Sequence, residues 1–312
     1  MEYDFSNISM QEIIKILKRN QKDNIEFKVL NPDLGSGLYA GEKTLISGKT
    51  YTQHSLRAWC TLAELLGYRI LLPKVLSDQE VLIRYEKLHT SKSFHDENPD
   101  DYREKYGSNS AFARINKLEE PSFIWHYMAA LNAVQVSDKS AILNLGIGRG
   151  DEFVAIRNML PADIFAKIDI AGVDHSKSAI SSAIEMLSDD NIRFLCRDIN
   201  DLQSLSLGKF DLIISIGTLQ SPNINSKTLI MSLVQKYFTQ DGAMILGFPN
   251  ARWIDGELIY GAKAPNYPYP EMSLVIKDIY WIKKYLQQHK FRVTITGREY
   301  LFLTATKIGI HS

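Results

Sequence analysis

The feature that most constrains the fold is the run Ile142-Leu143-Asn144-Leu145-Gly146-Ile147-Gly148-Arg149-Gly150-Asp151. Its apolar first half predicts a buried strand. The glycines predict a tight turn, because glycine adopts positive φ and lets the backbone approach a ligand closely, and the residues that follow predict the start of a helix. This pattern is typical of a loop that cradles a nucleotide. The dinucleotide fingerprint needs its third glycine one residue later, where this chain has Asp151, so the spacing disfavours a pyrophosphate ligand.

Two further predicted strands end in acidic residues. Ile168 to Asp174 reads as the second strand, and Asp174 stands at its carboxyl end, where open α/β sheets place a carboxylate that binds a ribose. Ile192 to Ile199 reads as the third strand and contains Asp198 near its end. Asp174 has a second interpretation, as the N-cap of a helix over Ser176 to Met186. Three motifs in this order favour the ligand-binding interpretation.

With Phe210 to Ser215 as a fourth strand, the segment from about 140 to 308 resembles the class I S-adenosylmethionine-dependent methyltransferases. The resemblance covers just over half of the chain. It implies an α/β fold with a Rossmann-like, doubly wound sheet of seven strands, the last of them antiparallel. A predicted hairpin over Phe291 to Thr306 agrees with that ending. Asn144 departs from the family pattern, which most often has an acid there, although an amide still forms hydrogen bonds.

The resemblance implies S-adenosylmethionine as cofactor and a role for each motif. The glycine loop faces the methionine and ribose, Asp174 accepts both ribose hydroxyls, and Asp198 accepts from the adenine amine. The backbone NH of Ile199 serves an adenine nitrogen, and His175 lies against the adenine face. The expected cofactor-binding residues are Asn144, Gly146, Gly148, Gly150, Asp174, His175, Asp198, Ile199, Ser215 and Gly217.

Residues near the methyl acceptor are expected in the loops that follow the fourth and fifth strands. The fourth is followed by Ser221-Pro222-Asn223, which differs from the Asn-Pro-Pro-aromatic signature of nucleic-acid amino-methyltransferases and disfavours an adenine or cytosine amine as acceptor. Arg252 suits an acceptor that carries a carboxylate or phosphate. The candidate acceptor-binding residues are Thr218, Gln220, Arg252, Trp253, Tyr267 and Tyr269. Ordinary loop hydrogen bonding for the first two, and surface packing for the tyrosines, remain alternatives.

No catalytic residue is assigned. The reaction that the resemblance implies is an in-line displacement, which requires alignment of two reactants more than acid–base chemistry, and no catalytic dyad is evident in the sequence. His95 and Asp96 are adjacent in sequence, which disfavours a shared metal or acid–base site because neighbouring strand side chains point to opposite faces. No metal site is predicted.

Composition adds few restrictions. Lys plus Arg and Asp plus Glu each number 36 among 312 residues, so charge does not favour nucleic acid, although local patches leave it open. Cys60 and Cys196 lie in apolar runs without metal-ligand spacing and predict reduced thiols. The first residues lack a signal peptide, and no apolar run reaches about 18 residues. We expect a cytoplasmic protein without a membrane partner, and the sequence gives no oligomeric state.

The predicted domains are an N-terminal accessory region over 1–135 that faces the substrate and is mainly helical, and a methyltransferase domain over 136–312. Apolar residues at helical spacing predict helices over 9–19 and 51–66, the second with Trp59 in its buried face, and a strand over 81–88. The polar stretch 89–107 predicts a solvated loop or a lid.

The predicted function is therefore methyl transfer from S-adenosylmethionine to an unidentified acceptor, with a small or medium-sized metabolite favoured. The first alternative is an RNA or protein acceptor. The others are a NAD-dependent oxidoreductase on a related sheet, weakened by the glycine spacing, and a non-catalytic Rossmann-like module, weakened by the intact Asp174 and Asp198.

Overall fold

The computed structural model describes residues 3–35, 37–92, 102–262 and 271–309. The chain divides into two compact units, Met1–Ser93 with Trp253–Ile259 and Phe94–Arg252 with Tyr260–Ser312. Each unit has hydrophobic core residues of its own. The domain boundary predicted between residues 135 and 136 stays a prediction. No helix in the described ranges combines the length and apolar character needed to cross a membrane.

Among its described residues, the first unit contains two α-helices and a four-stranded sheet in the order β1-β2-β6-β5. Its elements are β1 (Tyr3–Asp4), α1 (Met10–Lys18), β2 (Asn24–Leu30), β3 (Lys43–Ile46), β4 (Lys49–Thr52), α2 (Leu56–Leu66), β5 (Tyr68–Val75) and β6 (Glu80–Lys87), with short 3-10 helices at Pro32–Gly35 and Thr90–Lys92. The prediction of a mainly helical region over 1–135 is not confirmed, since strands contribute more residues than helices do in the first unit. Its strands alternate buried and exposed residues over short spans, as β2 shows, and that pattern was overlooked.

Two helix predictions in this unit are confirmed with one corrected boundary. The Ser9 side chain caps α1 by accepting a hydrogen bond from the Glu12 NH. Helix α2 begins at Leu56 rather than at residue 51, because Ser55 caps it and Tyr51 and Thr52 belong to β4. Trp59 is buried, with its ring centroid 5.4 Å from that of Phe27, which confirms its role in the core.

The second unit is built on a seven-stranded sheet among the described residues. Its strands are β7 (Ala141–Leu145), β8 (Asp169–Asp174), β9 (Ile192–Cys196), β10 (Phe210–Ile216), β11 (Phe238–Pro249), β14 (Phe291–Gly297) and β15 (Tyr300–Lys307). Its helices are α3 (Pro121–Ala133), α4 (Asp151–Met159), α5 (Ala162–Phe165), α6 (Lys177–Met186), α7 (Ser226–Ser232) with a π-helical turn at Leu233–Tyr237, and α8 (Ser273–Gln288). Short 3-10 helices lie at Tyr102–Glu104, Ala111–Arg114, Lys117–Glu119, Val136–Asp138 and Ile199–Leu205. Strands β12 (Ala251–Ile254) and β13 (Glu257–Tyr260) form a separate two-stranded sheet, whose residues Trp253–Ile259 belong to the first unit.

The strand order of the large sheet is β14-β15-β11-β10-β7-β8-β9. Strands β7 to β11 pair in parallel, whereas β15 pairs antiparallel with both β11 and β14. The order reverses at β7, which is the switch point where open α/β sheets bind ligands beyond the carboxyl ends of their strands. The α/β fold, the Rossmann-like sheet and the antiparallel final strand are confirmed.

Because β15 runs antiparallel, its first residue lies at the carboxyl edge of the parallel strands. Tyr300 is in register with Pro249, the last residue of β11. The same edge receives the ends of β7, β8 and β10 at Leu145, Asp174 and Ile216. The fold therefore brings residues from distant parts of the sequence to one edge of the sheet.

A buried carboxylate fixes the start of β7 against β10. Asp211 accepts hydrogen bonds from the Ser140 NH at 2.7 Å, the Ser140 hydroxyl at 2.8 Å and the Ala141 NH at 3.0 Å. It is 7% exposed. Since buried NH groups are destabilising when left without acceptors, Asp211 is a structural residue of the sheet.

We predict that Asp211→Ala lowers the free energy of unfolding by about 2–4 kcal/mol, because it leaves two backbone NH groups without an acceptor. Urea denaturation measures the change. The exposed Asp241, replaced by Ala, serves as the control and should change stability by less than about 0.5 kcal/mol. Equal effects of the two substitutions would contradict the structural role of Asp211.

Candidate active site

The glycine loop after β7 places each of its three glycines at positive φ, with different surroundings. Gly146 has φ of 77°, and a Cβ there would lie 2.0 Å from the Thr218 Oγ1, so only glycine fits against the loop after β10. Gly150 has φ of 97° and is the N-cap residue of α4. Gly148 has φ of 54°, and a Cβ there would meet no atom within 4 Å. The middle of the loop therefore borders open space, as a ligand cradle requires.

The Asp174 carboxylate holds this loop against the end of β8. Its Oδ2 accepts from the Gly148 NH at 2.9 Å, and its Oδ1 accepts from the Ser176 NH at 2.9 Å. Ser176, whose hydroxyl accepts from the Ala179 NH, caps α6, so the N-cap interpretation of Asp174 is wrong. Each carboxylate oxygen keeps a second acceptor position, which suits a pair of ribose hydroxyls.

Three more predicted residues lie at the ends of the neighbouring strands. The His175 Nδ1 lies 3.6 Å from the Asp174 Oδ1, and its side chain is 38% exposed. Asp198 is exposed and caps the 3-10 helix Ile199–Leu205, accepting from the Asn200 NH at 2.8 Å. The Ile199 side chain is buried in the core, so the contact predicted for this residue is limited to its backbone NH.

Asn144 is the polar residue inside β7. It is in register with Gly172 of β8 and Ile214 of β10, and its side chain is 0% exposed. Neither amide atom has a hydrogen-bond partner among the described residues. An unpartnered buried amide costs about 1–3 kcal/mol per group, so this one calls for a partner that the described residues do not supply.

The loop after β10 completes the edge. The Ser215 hydroxyl donates to the Leu145 carbonyl at 3.0 Å and so joins β10 to β7 rather than facing a ligand. Gly217 has φ of 73°, and its Cβ position lies 3.8 Å from the Tyr300 hydroxyl. Burial raises the pKa of Tyr300, which keeps its hydroxyl protonated and able to donate. Tyr300 was missed in the sequence because an antiparallel strand carries it to this edge.

Together these residues fit S-adenosylmethionine. Asp174 has acceptor capacity for ribose hydroxyls, Gly148 borders open space, and the Asn144 amide lacks partners among the described residues. Arg149, inside the loop, donates to Asp151 through Nε at 2.9 Å. This contact neutralises the acid that stands in place of a third fingerprint glycine.

The residues predicted to bind the acceptor are less clustered than those predicted to bind the cofactor. Thr218 is half-buried against Gly146, and Gln220 is exposed. Arg252 Nη1 donates to the Gly261 carbonyl at 2.6 Å. Trp253 is half-buried and belongs to the first compact unit, whereas Arg252 belongs to the second. Residues outside the described ranges are Tyr267, Tyr269, His95 and Asp96.

Residues 102–120, called here the lead segment, contact the two loops that carry the cofactor motifs. Glu104 accepts from the Lys177 NH at 3.1 Å and from the hydroxyls of Ser176 and Ser178, at the start of α6. From the glycine loop, Arg149 donates to carbonyls of the lead segment, at Ala113 (2.9 Å) and Ile115 (3.2 Å). The lead segment is thus hydrogen-bonded both to the glycine loop and to the start of α6, the two parts of the chain that Asp174 also contacts. The sequence interpretation of residues 89–107 as a solvated loop or lid did not identify Glu104.

The lead segment also contributes to a buried ion pair. Lys117 Nζ lies 3.4 Å from Glu152 Oε1, and the two side chains are 13% and 3% exposed. Burial raises the pKa of Glu152, while Lys117 opposes that rise. Burial acts to lower the pKa of Lys117, but the charge of Glu152, with smaller contributions from Tyr300, Asp151 and the hydrogen bond to Glu152, outweighs burial and raises the pKa. No sequence motif predicted either residue as part of the site.

A family model described as a methyltransferase domain matches residues 136–289. No curated protein matches the chain. Among solved structures, the chain is similar to the plantazolicin methyltransferase BpumL in complex with SAH, at 17% identity and a TM-score of 0.47, covering 66% of this chain and 93% of that one. It is also similar to a precorrin-6y C5,15-methyltransferase from Geobacter metallireducens, at 9% identity and a TM-score of 0.40, covering 58% and 87% of the two chains. A third is an O-methyltransferase family protein from Burkholderia thailandensis, at 12% identity and a TM-score of 0.41, covering 66% and 64%.

We predict that Glu104→Gln loosens the lead segment while the sheet stays intact. The hydrogen bond from Ser178, with those from Ser176 and Lys177, holds the pKa of Glu104 below its ordinary value. A lowered pKa means that the stabilisation is present at neutral pH and is lost as the pH falls through that lowered value. Amide hydrogen exchange of the lead segment should rise about 10-fold in the variant at neutral pH.

The wild-type protein should approach the variant's protection factors as the pH falls. The matched control is Glu185→Gln on the exposed face of α6, which should leave exchange in the lead segment unchanged. Equal protection of the lead segment in wild type and Glu104→Gln would show that these hydrogen bonds do not hold it.

Proposed function

Because this chain is a class I S-adenosylmethionine-dependent methyltransferase, we propose that it holds its cofactor at the carboxyl edge of β7, β8, β9 and β10. The observation that carries this assignment is the hydrogen bond between Gly148 and Asp174, 2.9 Å long. It places a carboxylate with spare acceptor capacity beside a loop that borders open space. That combination suits a nucleoside whose ribose binds Asp174 and whose attached chain lies along the glycine loop.

We assign the cofactor's parts to successive strand ends. Asp174 accepts the two ribose hydroxyls, and His175 lies along the adenine. Asp198 accepts from the adenine amine, and the Ile199 backbone NH donates to a ring nitrogen. The remaining predicted residues line the methionine side, with Ser215 acting through the backbone because its hydroxyl bonds to Leu145. These residues are Asn144, Gly146, Gly148, Gly150, Ser215 and Gly217.

When bound, S-adenosylmethionine supplies a methyl group on a positively charged sulfur. The chain's own residues orient the reactants and exclude water, which lowers the barrier of an in-line displacement. Thr218 and Tyr300 lie where the loop after β10 meets the sheet edge, and we assign them to the acceptor side. Tyr300, being protonated, donates a hydrogen bond to the acceptor or to its neighbouring polar atom.

The acceptor is proposed to be a small or medium-sized metabolite. The chain has equal numbers of basic and acidic residues, 36 of each, and lacks the amino-methyltransferase signature after β10. Gln220, Arg252, Trp253, Tyr267 and Tyr269 remain the further candidates for contacting it. We also propose a cytoplasmic location, because both cysteines, Cys60 and Cys196, are free thiols.

The first test replaces Asp174 by Ala. We predict that the affinity for S-adenosylhomocysteine falls at least about 100-fold, because two hydrogen bonds to a charged acceptor are lost. Isothermal titration measures the affinity, and a thermal melt establishes that the variant is folded. A folded variant with unchanged affinity would refute the assignment of Asp174.

The second test uses two glycines with the same local conformation. Gly148 and Gly208 have φ of 54° and 82°, and a Cβ on either meets nothing within 4 Å. Replacing either by Ala should therefore destabilise the fold by a similar amount, about 1–2 kcal/mol. Only Gly148→Ala should weaken S-adenosylhomocysteine binding, since its new methyl group enters the proposed pocket. Equal binding by the two variants would mean that the ligand does not approach the loop at Gly148.

A further inference from the structure

A buried ion pair lies beside the glycine loop and has no role in the assignments above. Lys117 comes from the lead segment and Glu152 from the first turn of α4, two residues after Gly150. Their charged atoms are 3.4 Å apart, which is longer than the roughly 2.8 Å of a well-formed charged hydrogen bond. Among the described residues, Lys117 is the one hydrogen-bond partner of the Glu152 side chain. Both groups thus keep hydrogen-bonding capacity toward a third molecule.

The stability of the fold does not by itself explain why an ion pair is buried at this position. A buried ion pair loses much of its attraction to desolvation, and apolar replacements of similar volume are often neutral or stabilising. Here the surroundings are apolar, because Phe123, Tyr127 and Phe153 pack in the core on this side of the sheet. The Lys117 ammonium lies 5.5 Å from the centre of the Phe123 ring. An apolar pair would therefore fit the core at least as well.

The pair and the unpartnered Asn144 amide lie on the same side of the sheet. Ile142 belongs to the core cluster that contains Phe153, and Asn144 faces the same side because side chains alternate along a strand. Tyr300 packs against this cluster as well, with its ring 5.1 Å from that of Phe123. One side of the sheet edge thus carries a cation, an anion, an amide and a hydroxyl.

We propose that Lys117 and Glu152 recognise the amino-acid end of the cofactor. That end carries an ammonium and a carboxylate on one carbon, so it is a zwitterion with complementary charges. The Glu152 carboxylate accepts from the ligand's ammonium, and the Lys117 ammonium donates to its carboxylate. The inference rests on the proposed cofactor site, and no residue of the glycine loop supplies these charges, since Arg149 and Asp151 bond to each other.

Two ligands that differ only at this end test the proposal. S-adenosylhomocysteine carries the zwitterion, whereas 5′-methylthioadenosine has the same adenine, ribose and thioether without it. Isothermal titration of both ligands gives their ratio of dissociation constants, which isolates the contribution of the amino-acid end. The proteins compared are the wild type, Glu152→Gln, and the double variant Lys117→Met/Glu152→Met. The double variant avoids a lone buried charge and should remain folded in a thermal melt.

We expect the wild type to bind S-adenosylhomocysteine more tightly than 5′-methylthioadenosine. The variants should reduce that preference by about 10- to 100-fold, while their affinity for 5′-methylthioadenosine changes less than about 3-fold. The matched control is Arg193→Met/Asp169→Asn, which removes an exposed ion pair of 2.9 Å at the amino ends of β8 and β9. It should leave the preference unchanged.

Each other outcome overturns the inference in a recognisable way. If the folded double variant keeps the wild-type preference, the pair does not recognise the amino-acid end. If both ligands weaken equally, the pair acts through the fold alone. A wild type that binds both ligands equally would refute this inference and leave the cofactor site standing, whereas a wild type that binds neither would refute the cofactor site as well.

Discussion

The hydrogen bond from the Gly148 NH to the Asp174 carboxylate joins two motifs that are 26 residues apart in sequence. It forms because β7 and β8 are parallel neighbours, so that both strands end at the same edge. The same carboxylate accepts from the Ser176 NH at the start of α6. One buried acid thus sets the positions of the glycine loop, the end of β8 and the next helix. The proposed cofactor site depends on this arrangement.

The sheet was predictable because its signals are local. Apolar runs of five to seven residues, glycines and terminal acids mark β7, β8 and β10 in the sequence. The terminal hairpin followed from alternation around Gly297. Each of these predictions needed only a short window of sequence, which is the range over which strand periodicity and turn chemistry act.

Apart from β6, which matches the strand predicted over 81–88, the lead segment and the N-terminal sheet were not predictable in the same way. Glu104 bonds to residues about 70 positions later, and Lys117 pairs with Glu152 across 35 positions. Such contacts depend on topology and leave no periodic pattern. In β2, apolar and polar residues alternate over only a few positions, next to residues with helical spacing. The segment forms a strand because it pairs with β6, which is distant in sequence. The positions of Tyr267 and Tyr269 lie outside the described residues, so their role stays a prediction.

Polar groups buried at the sheet edge distinguish the site from the rest of the core. Asn144 and the Lys117–Glu152 pair lie among apolar side chains that would pack without them. Proteins retain buried polar groups mainly at functional sites, where binding matters more than apolar packing. Both groups border the same glycine loop. The most direct test is a crystal structure with S-adenosylhomocysteine. The account predicts both ribose hydroxyls within about 3.2 Å of the Asp174 carboxylate. A nucleoside bound elsewhere, or one that leaves Asp174 uncontacted, would contradict it.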